Sequence, residues 1–262
     1  MTTWPYETTW ITGASSGLGR SLALHIARGG GHVVLSGRSA ERLEPVAEQC
    51  RHTAASVQVL PFDLGTPGDP ARAAEQLQRP IDCLINNAGF SQRLLTTEAS
   101  VDLDEQVITA NLLGTIALTK AILPAMVQRD SGTIAVVSSI AAYAGVPHRS
   151  AYSAAKAGQI AYFDTLRTEL SRTNISVAVV VPGFVRTNIS NAALTADGAV
   201  HGKMDRNQEQ GLDPDRAARS AARGIVAGRR RVFVGFPFRL WLFLLLSRMA
   251  PGLLQRTLTK EV

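Results

Sequence analysis

Seven short runs of strand-forming residues recur along this chain, each separated from the next by a stretch with helical periodicity. They lie at 8–11, 32–36, 57–60, 81–85, 133–137, 175–181 and 231–234. The fifth, Thr133-Ile134-Ala135-Val136-Val137, has the length and β-branched content of a strand buried on both faces. Strands that alternate with helices form a doubly wound parallel sheet, with helices on both faces. On such a sheet ligands bind beyond the carboxyl ends of the strands. The residues that end each run are therefore the first candidates for a site. A chain of 262 residues with 45% hydrophobic content can bury one large core. No linker, low-complexity tract or internal repeat divides it, so a single α/β domain is expected.

The first run leads into Thr12-Gly13-Ala14-Ser15-Ser16-Gly17-Leu18-Gly19, followed by a helical pattern carried by Leu22 and Ile26. Glycines accept positive φ and let a phosphate approach the backbone, and the helix N-terminus adds free N–H groups and partial positive charge. The spacing is Gly-x-x-x-Gly-x-Gly, not the Gly-x-Gly-x-x-Gly of the dinucleotide fingerprint. Beyond the second run, such folds carry an acid for ribose hydroxyls or an arginine for a 2′-phosphate. Here Gly37 and Arg38 stand there without a carboxylate. This favours NADP(H), with NAD(H) as the alternative. Asp63-Leu64 follows the third run and Asn86-Asn87-Ala88-Gly89 the fourth. These small and amide residues suit a flat adenine or ribose, or simply the turn itself. Asn111 lies within a helical pattern from Asp102 towards Pro124, at a place where propensity does not recommend asparagine.

The stretch from Ser138 to Lys156 begins where the fifth run ends. Tyr152 and Lys156 are four apart and share one face of a helix, and Ser139 can be brought opposite them. A free tyrosine has a pKa of about 10. A lysine charge at ~4 Å, with an effective dielectric near 20, would favour the phenolate by roughly 4 kcal/mol. The expectation is a phenol drawn towards the range of acid–base catalysis, with Ser139 bonding a carbonyl or alkoxide oxygen.

Other classes are disfavoured. Cys50 and Cys83 read as reduced packing residues, and no metal-binding spacing is present. The net charge of +6 comes without a helix-turn-helix, zinc or RNA-binding pattern, which argues against a nucleic-acid partner. The N-terminus lacks the pattern of a secretory signal, so the expected location is the cytoplasm.

Taken together, these motifs resemble the short-chain dehydrogenase/reductase family, in its subgroup with a Thr-Gly-x-x-x-Gly-x-Gly turn. The resemblance rests on residues 12–19, Asp63, Asn86-Asn87-Ala88-Gly89, Asn111, Ser139, Tyr152-x-x-x-Lys156 and Pro182-Gly183, in the family's order. It implies a single-domain Rossmann-type sheet of about seven strands and an NAD(P)-dependent oxidoreductase acting on CH–OH groups. Tyr152 would be the catalytic acid/base. Ser139, thirteen residues before it, would polarise the substrate carbonyl. Lys156 would lower the tyrosine pKa and bind the nicotinamide ribose, and Asn111 would anchor a water linking Lys156 to a proton relay. Gly13, Ser15, Ser16, Gly17, Leu18 and Gly19 would hold the pyrophosphate, Asp63 and Leu64 the adenine, and Asn87, Ala88 and Gly89 the adenosine-side ribose. Pro182, Gly183, Val185 and Thr187 would meet the carboxamide end. Members commonly assemble as homodimers or homotetramers through two long helices, here 102–129 and 152–172.

Residues 1–235 thus read as the dinucleotide-binding and catalytic domain, with a variable substrate lid at about 187–212. Residues 236–262 form an apolar, basic extension of the same domain. Its run Leu240-Trp241-Leu242-Phe243-Leu244-Leu245-Leu246 is far short of the ~20 residues that span a bilayer. The extension can cover the substrate pocket or a subunit interface, lie on the inner membrane face with its arginines among headgroups, or, least in keeping with its length, span. The first two suggest a hydrophobic carbonyl or alcohol substrate such as a steroid, retinoid or acyl lipid. NAD-dependent alcohol oxidation and 3-oxoacyl reduction are the enzymatic alternatives. A dinucleotide-binding regulator and a membrane scaffold are the non-enzymatic ones.

Overall fold

The computed structural model describes residues 4–196 and 198–259. Its centre is a seven-stranded sheet in the order β3-β2-β1-β4-β5-β6-β7, with every pair parallel. The strands are β1 (Thr8–Thr12), β2 (His32–Ser36), β3 (Ser56–Val59), β4 (Cys83–Asn86), β5 (Gly132–Val137), β6 (Ile175–Pro182) and β7 (Arg231–Val234). Each run anticipated from the sequence forms one of them, shifted by at most two residues at an end. The strand order reverses between β1 and β4, the topological switch point where such sheets open a crevice.

Successive strand residues point to opposite faces. Ile11 therefore packs under α1 (Gly17–Ala27), α2 (Ala40–Arg51) and α8 (Pro214–Val226), with Leu22, Leu43 and Ile225. Its neighbour Trp10 packs on the other side, with Leu118 of α5 (Gly114–Gln128) and Phe163 of α6 (Ser150–Glu169). Both Trp10 and Ile11 are fully buried. The carboxyl ends of the strands are tied by polar contacts. Trp10 Nε1 donates to Ser36 Oγ at 2.7 Å, and Ser36 Oγ donates to the carbonyl of Leu60 at 2.6 Å. At the switch point, Thr12 Oγ1 accepts from the backbone N–H groups of Asn87 and Ala88, each at 3.0 Å.

The helix expected from Asp102 is not uniform. α4 (Val101–Ile108) runs into a π turn, Thr109–Leu113, before α5 continues. The extra residue of a π turn breaks the ordinary ladder, which accounts for an asparagine at position 111 inside a helix. This 101–128 segment is the one described helix long and apolar enough to cross a membrane, and its inward residues Val107, Leu118 and Met126 belong to the core.

The remaining helices are α3 (Asp69–Glu75), α7 (Arg206–Glu209), α9 (Phe238–Met249) and α10 (Pro251–Leu258). Leu240 and Leu254 are buried, and Phe233, Phe236 and Trp241 form an aromatic cluster with ring centroids 4.8–5.3 Å apart. Gly183 makes this docking feasible: a Cβ there would lie 2.5 Å from Leu240 Cδ1.

Candidate active site

A cleft of about 750 Å³ opens along the carboxyl ends of the strands. Its size is that of a small-molecule or cofactor site. The glycine turn forms one end. Gly13 and Gly17 have φ of +66° and +53°, values that favour glycine. A Cβ on Gly19 would lie 2.2 Å from the Gly13 carbonyl oxygen, and one on Gly13 would lie 2.8 Å from Ala88 Cα. Ser16 caps α1 without a side-chain hydrogen bond, and no acidic residue stands in the first turn. The first N–H groups of α1 therefore meet the cleft with their partial charge uncompensated, which suits a pyrophosphate.

Gly13, Ser15, Ser16, Gly17, Leu18, Gly19, Arg38, Asp63, Leu64, Asn87, Ala88 and Gly89 all line this cleft. So do Ser139, Tyr152, Lys156, Pro182, Gly183, Val185 and Thr187. Some also hold the walls together. Asn87 Nδ2 donates to the carbonyls of Thr12 at 2.9 Å and Gly13 at 3.3 Å. Asp63 Oδ1 accepts from Gly65 N at 2.8 Å. Arg38 is exposed at the outer rim, with Arg42 lining the cleft beside it.

Asn111 is the exception: it lies behind the cleft wall. Its Nδ2 donates to the carbonyls of Phe90 at 2.9 Å and Val107 at 2.8 Å. Its own carbonyl accepts from Thr115 Oγ1 at 2.9 Å and from Gln159 Nε2 at 2.6 Å. Its main-chain carbonyl is thus engaged by two side chains, while its buried Oδ1 has no hydrogen-bond partner among the described residues.

At the inner end, Ser139, Tyr152 and Lys156 line the cleft together, and the Ser139 hydroxyl favours the ionised form of the Tyr152 phenol. Ser138, the rival serine, faces elsewhere: its Oγ donates to the Lys156 carbonyl at 2.9 Å. Lys156 Nζ donates to the Val137 carbonyl at 2.9 Å and to Gln159 Oε1 at 3.3 Å, and lies 5.7 Å from the Tyr152 ring centroid. Burial raises the phenol pKa, opposed by the nearby Arg149 charge and by the Ser139 hydroxyl. Burial also pulls the Lys156 ammonium down to about 7. This corrects the expected electrostatics. Lys156 is not the group that opposes the rise, because its ammonium is turned into the Val137 and Gln159 oxygens and is itself disfavoured by desolvation. A phenol held neutral is suited to giving a proton.

Sequence reasoning also missed the floor of the lid. Asp205, next to α7, pairs with Arg149 and, at 3.3 Å, with Arg93. Ser190 bonds Gln208, and Arg93 N donates to the Leu194 carbonyl at 2.8 Å. The 187–212 segment therefore carries ordered ties to the body, although its sequence has no period. These partners are far apart in the chain. The only available signal was the concentration of basic residues near Tyr152.

Sheet order, glycine turn and the Ser139–Tyr152–Lys156 group together suit a nicotinamide dinucleotide. Comparison with known proteins agrees. Residues 7–197 match the family described as short chain dehydrogenase. Over 260 residues the chain is 39% identical to dehydrogenase/reductase SDR family member 7B of Bos taurus, covering 96% of this chain and 80% of that protein. Among solved structures it resembles a short-chain dehydrogenase from Sphingobium yanoikuyae in complex with NADPH. That match has 27% identity and a TM-score of 0.78, over 97% of this chain and 96% of the other. A short chain dehydrogenase/reductase from Burkholderia phymatum in complex with NAD shares the fold with a TM-score of 0.84, at 21% identity and over 97% and 96% of the two chains. The chain belongs to the short-chain dehydrogenase/reductase family.

Proposed function

We propose that this enzyme interconverts a carbonyl and an alcohol on a hydrophobic substrate with NADP(H). The observation that carries the reading is the convergence of Ser139, Tyr152 and Lys156 in the same cleft as the glycine turn. When bound, the dinucleotide supplies or accepts the hydride. In reduction, Tyr152 gives its hydroxyl proton to the substrate oxygen while Ser139 donates a hydrogen bond to that oxygen. In oxidation the phenolate takes the proton back. Lys156 binds the nicotinamide ribose, and the neutral phenol is the form that reduction uses.

Residues 13–19 hold the pyrophosphate, Asp63 and Leu64 the adenine, Asn87 to Gly89 the adenosine ribose, and Pro182 to Thr187 the carboxamide side. Arg38, with no carboxylate nearby at the end of β2, selects the 2′-phosphate. Solved neighbours hold NADPH in one case and NAD in another, so the preference rests on Arg38.

The tail supports a lipophilic substrate. Leu240, Phe243 and Leu258 line the cleft, while Phe238, Trp241, Leu242, Leu245 and Met249 form one exposed stripe of α9. With Arg239 and Arg248 beside it, that stripe suits the surface of an anionic membrane. Exposed Val101, Leu113 and Val127 on the long helix fit assembly as a homodimer or homotetramer. The test of the reaction is a panel of lipophilic ketones with NADPH oxidation followed by absorbance. Turnover that disappears in Tyr152→Phe supports the reading. Turnover undiminished in that variant, or a preference for small polar sugars, contradicts it.

A further inference from the structure

Gln159 lies one helical turn beyond Lys156 on α6 and is fully buried. Its Nε2 donates to the main-chain carbonyl of Asn111, and its Oε1 accepts from the Lys156 ammonium. The amide has no choice of orientation, since an ammonium only donates and a carbonyl only accepts. A glutamine on the inward face of a helix is costly unless both ends of its amide are matched. Here both are.

The second partner depends on the π turn, whose residue Asn111 presents the carbonyl towards α6. That carbonyl also accepts from Thr115, so both of its lone pairs are engaged. The side-chain Oδ1 of Asn111, by contrast, is buried without a hydrogen-bond partner among the described residues. Of the three ammonium donors, one goes to Val137, one to Gln159, and the third is left for the cleft.

We infer that Gln159 is a positioning residue for Lys156, its carboxamide bridging the ammonium directly to the main-chain carbonyl of Asn111. The bridge and the Val137 contact together fix the direction in which the lysine faces the cleft. This rests on the reading of Lys156 as part of the proton-handling site. The titratable group beside the ammonium is Tyr152 on its own helix, and Arg149 at the helix start acts on that phenol. α4, packed on α6, carries Asp102, Asp104 and Glu105, of which Asp104 accepts from Gln92. β5, the π turn and the 86–89 turn contribute no charged side chain.

Lysine occurs at only four positions, 120, 156, 203 and 260. Carbon-13 NMR of ε-labelled lysine can therefore follow Lys156, assigned by the signal lost in Lys156→Arg. The wild-type signal should titrate at about 7. Gln159→Glu sets a carboxylate against the ammonium and should raise the midpoint by about one unit or more. Gln159→Leu keeps the volume, removes the acceptor and should lower it by a similar amount. Circular dichroism checks folding, and if the leucine variant does not fold the glutamate variant decides alone. Unmoved midpoints in folded variants, or shifts of the opposite sign, overturn the bridge. The same samples are titrated with NADPH. Failure of the wild type to bind it removes the proposed function, whereas unmoved midpoints with binding intact remove the bridge alone.

Discussion

Lys156 Nζ donates to the main-chain carbonyl of Val137 at 2.9 Å, which fastens the lysine of α6 to the last residue of β5. Ser138 Oγ returns the tie by donating to the Lys156 carbonyl at 2.9 Å. α6, which carries Tyr152, is thus locked to the strand that leads into Ser139, and the relation between the two is held by the scaffold.

Tyr152→Phe deletes the transferable proton and little else. Its turnover of a ketone substrate should fall by about a hundredfold or more, with the thermal midpoint and NADPH affinity near wild type. Substantial activity in this variant would move the acid role to another group.

Gly19→Ala should weaken NADPH binding by about tenfold or more, because its Cβ would overlap the Gly13 carbonyl and the Asn87 amide. Gly252→Ala serves as the control, since nothing lies within 4 Å of a Cβ there. Equal affinity in both variants would show that the turn does not form the phosphate cradle.

Arg38→Asp reverses the charge at the end of β2 and should shift preference from NADPH towards NADH. The ratio of the two specificity constants measures it. An unchanged ratio would place the selector elsewhere, with Arg42 the next candidate on the cleft rim.

Buried Lys156 also predicts a pH dependence of stability. Its folded pKa of about 7 lies below the ordinary value of 10.5, so between these values the unfolded chain binds more protons. Stability therefore rises with pH across that window, and the full cost of the buried ammonium is present below about 7. Lys156→Met lacks this cost. Its stability relative to wild type should be highest near pH 6 and decline by roughly 3 kcal/mol towards pH 9.5 in urea unfolding. A gap independent of pH would mean the lysine is solvated.

The exposed stripe of α9 predicts binding to vesicles rich in phosphatidylserine. Leu245→Glu should reduce co-sedimentation without changing NADPH affinity. Equal sedimentation of both proteins would leave the stripe to another partner.

Most of the cleft was legible because its residues end strands that the sequence announces. Gly13, Asp63, Asn87, Ser139 and Pro182 each follow a visible apolar run, and a parallel sheet places such ends side by side. Asn111 was legible as a misplaced residue but not in its surroundings, since a π turn leaves no hydrophobic period to read. Gln159 passed unnoticed because one polar residue on a long helix looks like solvent-facing surface until the π turn is seen opposite it. The Arg93–Asp205–Arg149 group joins three distant segments and has no local signature. The rise of the Tyr152 pKa was not legible because it follows from burial and from a Lys156 ammonium bonded to the Val137 and Gln159 oxygens rather than to the phenol.

The most direct test of the account is a fluorescence titration of the purified protein with NADPH and, separately, NADH. The account predicts saturable binding of both, tighter for NADPH, with the NADPH preference lost in Arg38→Asp. A folded protein that binds neither would contradict it at its centre.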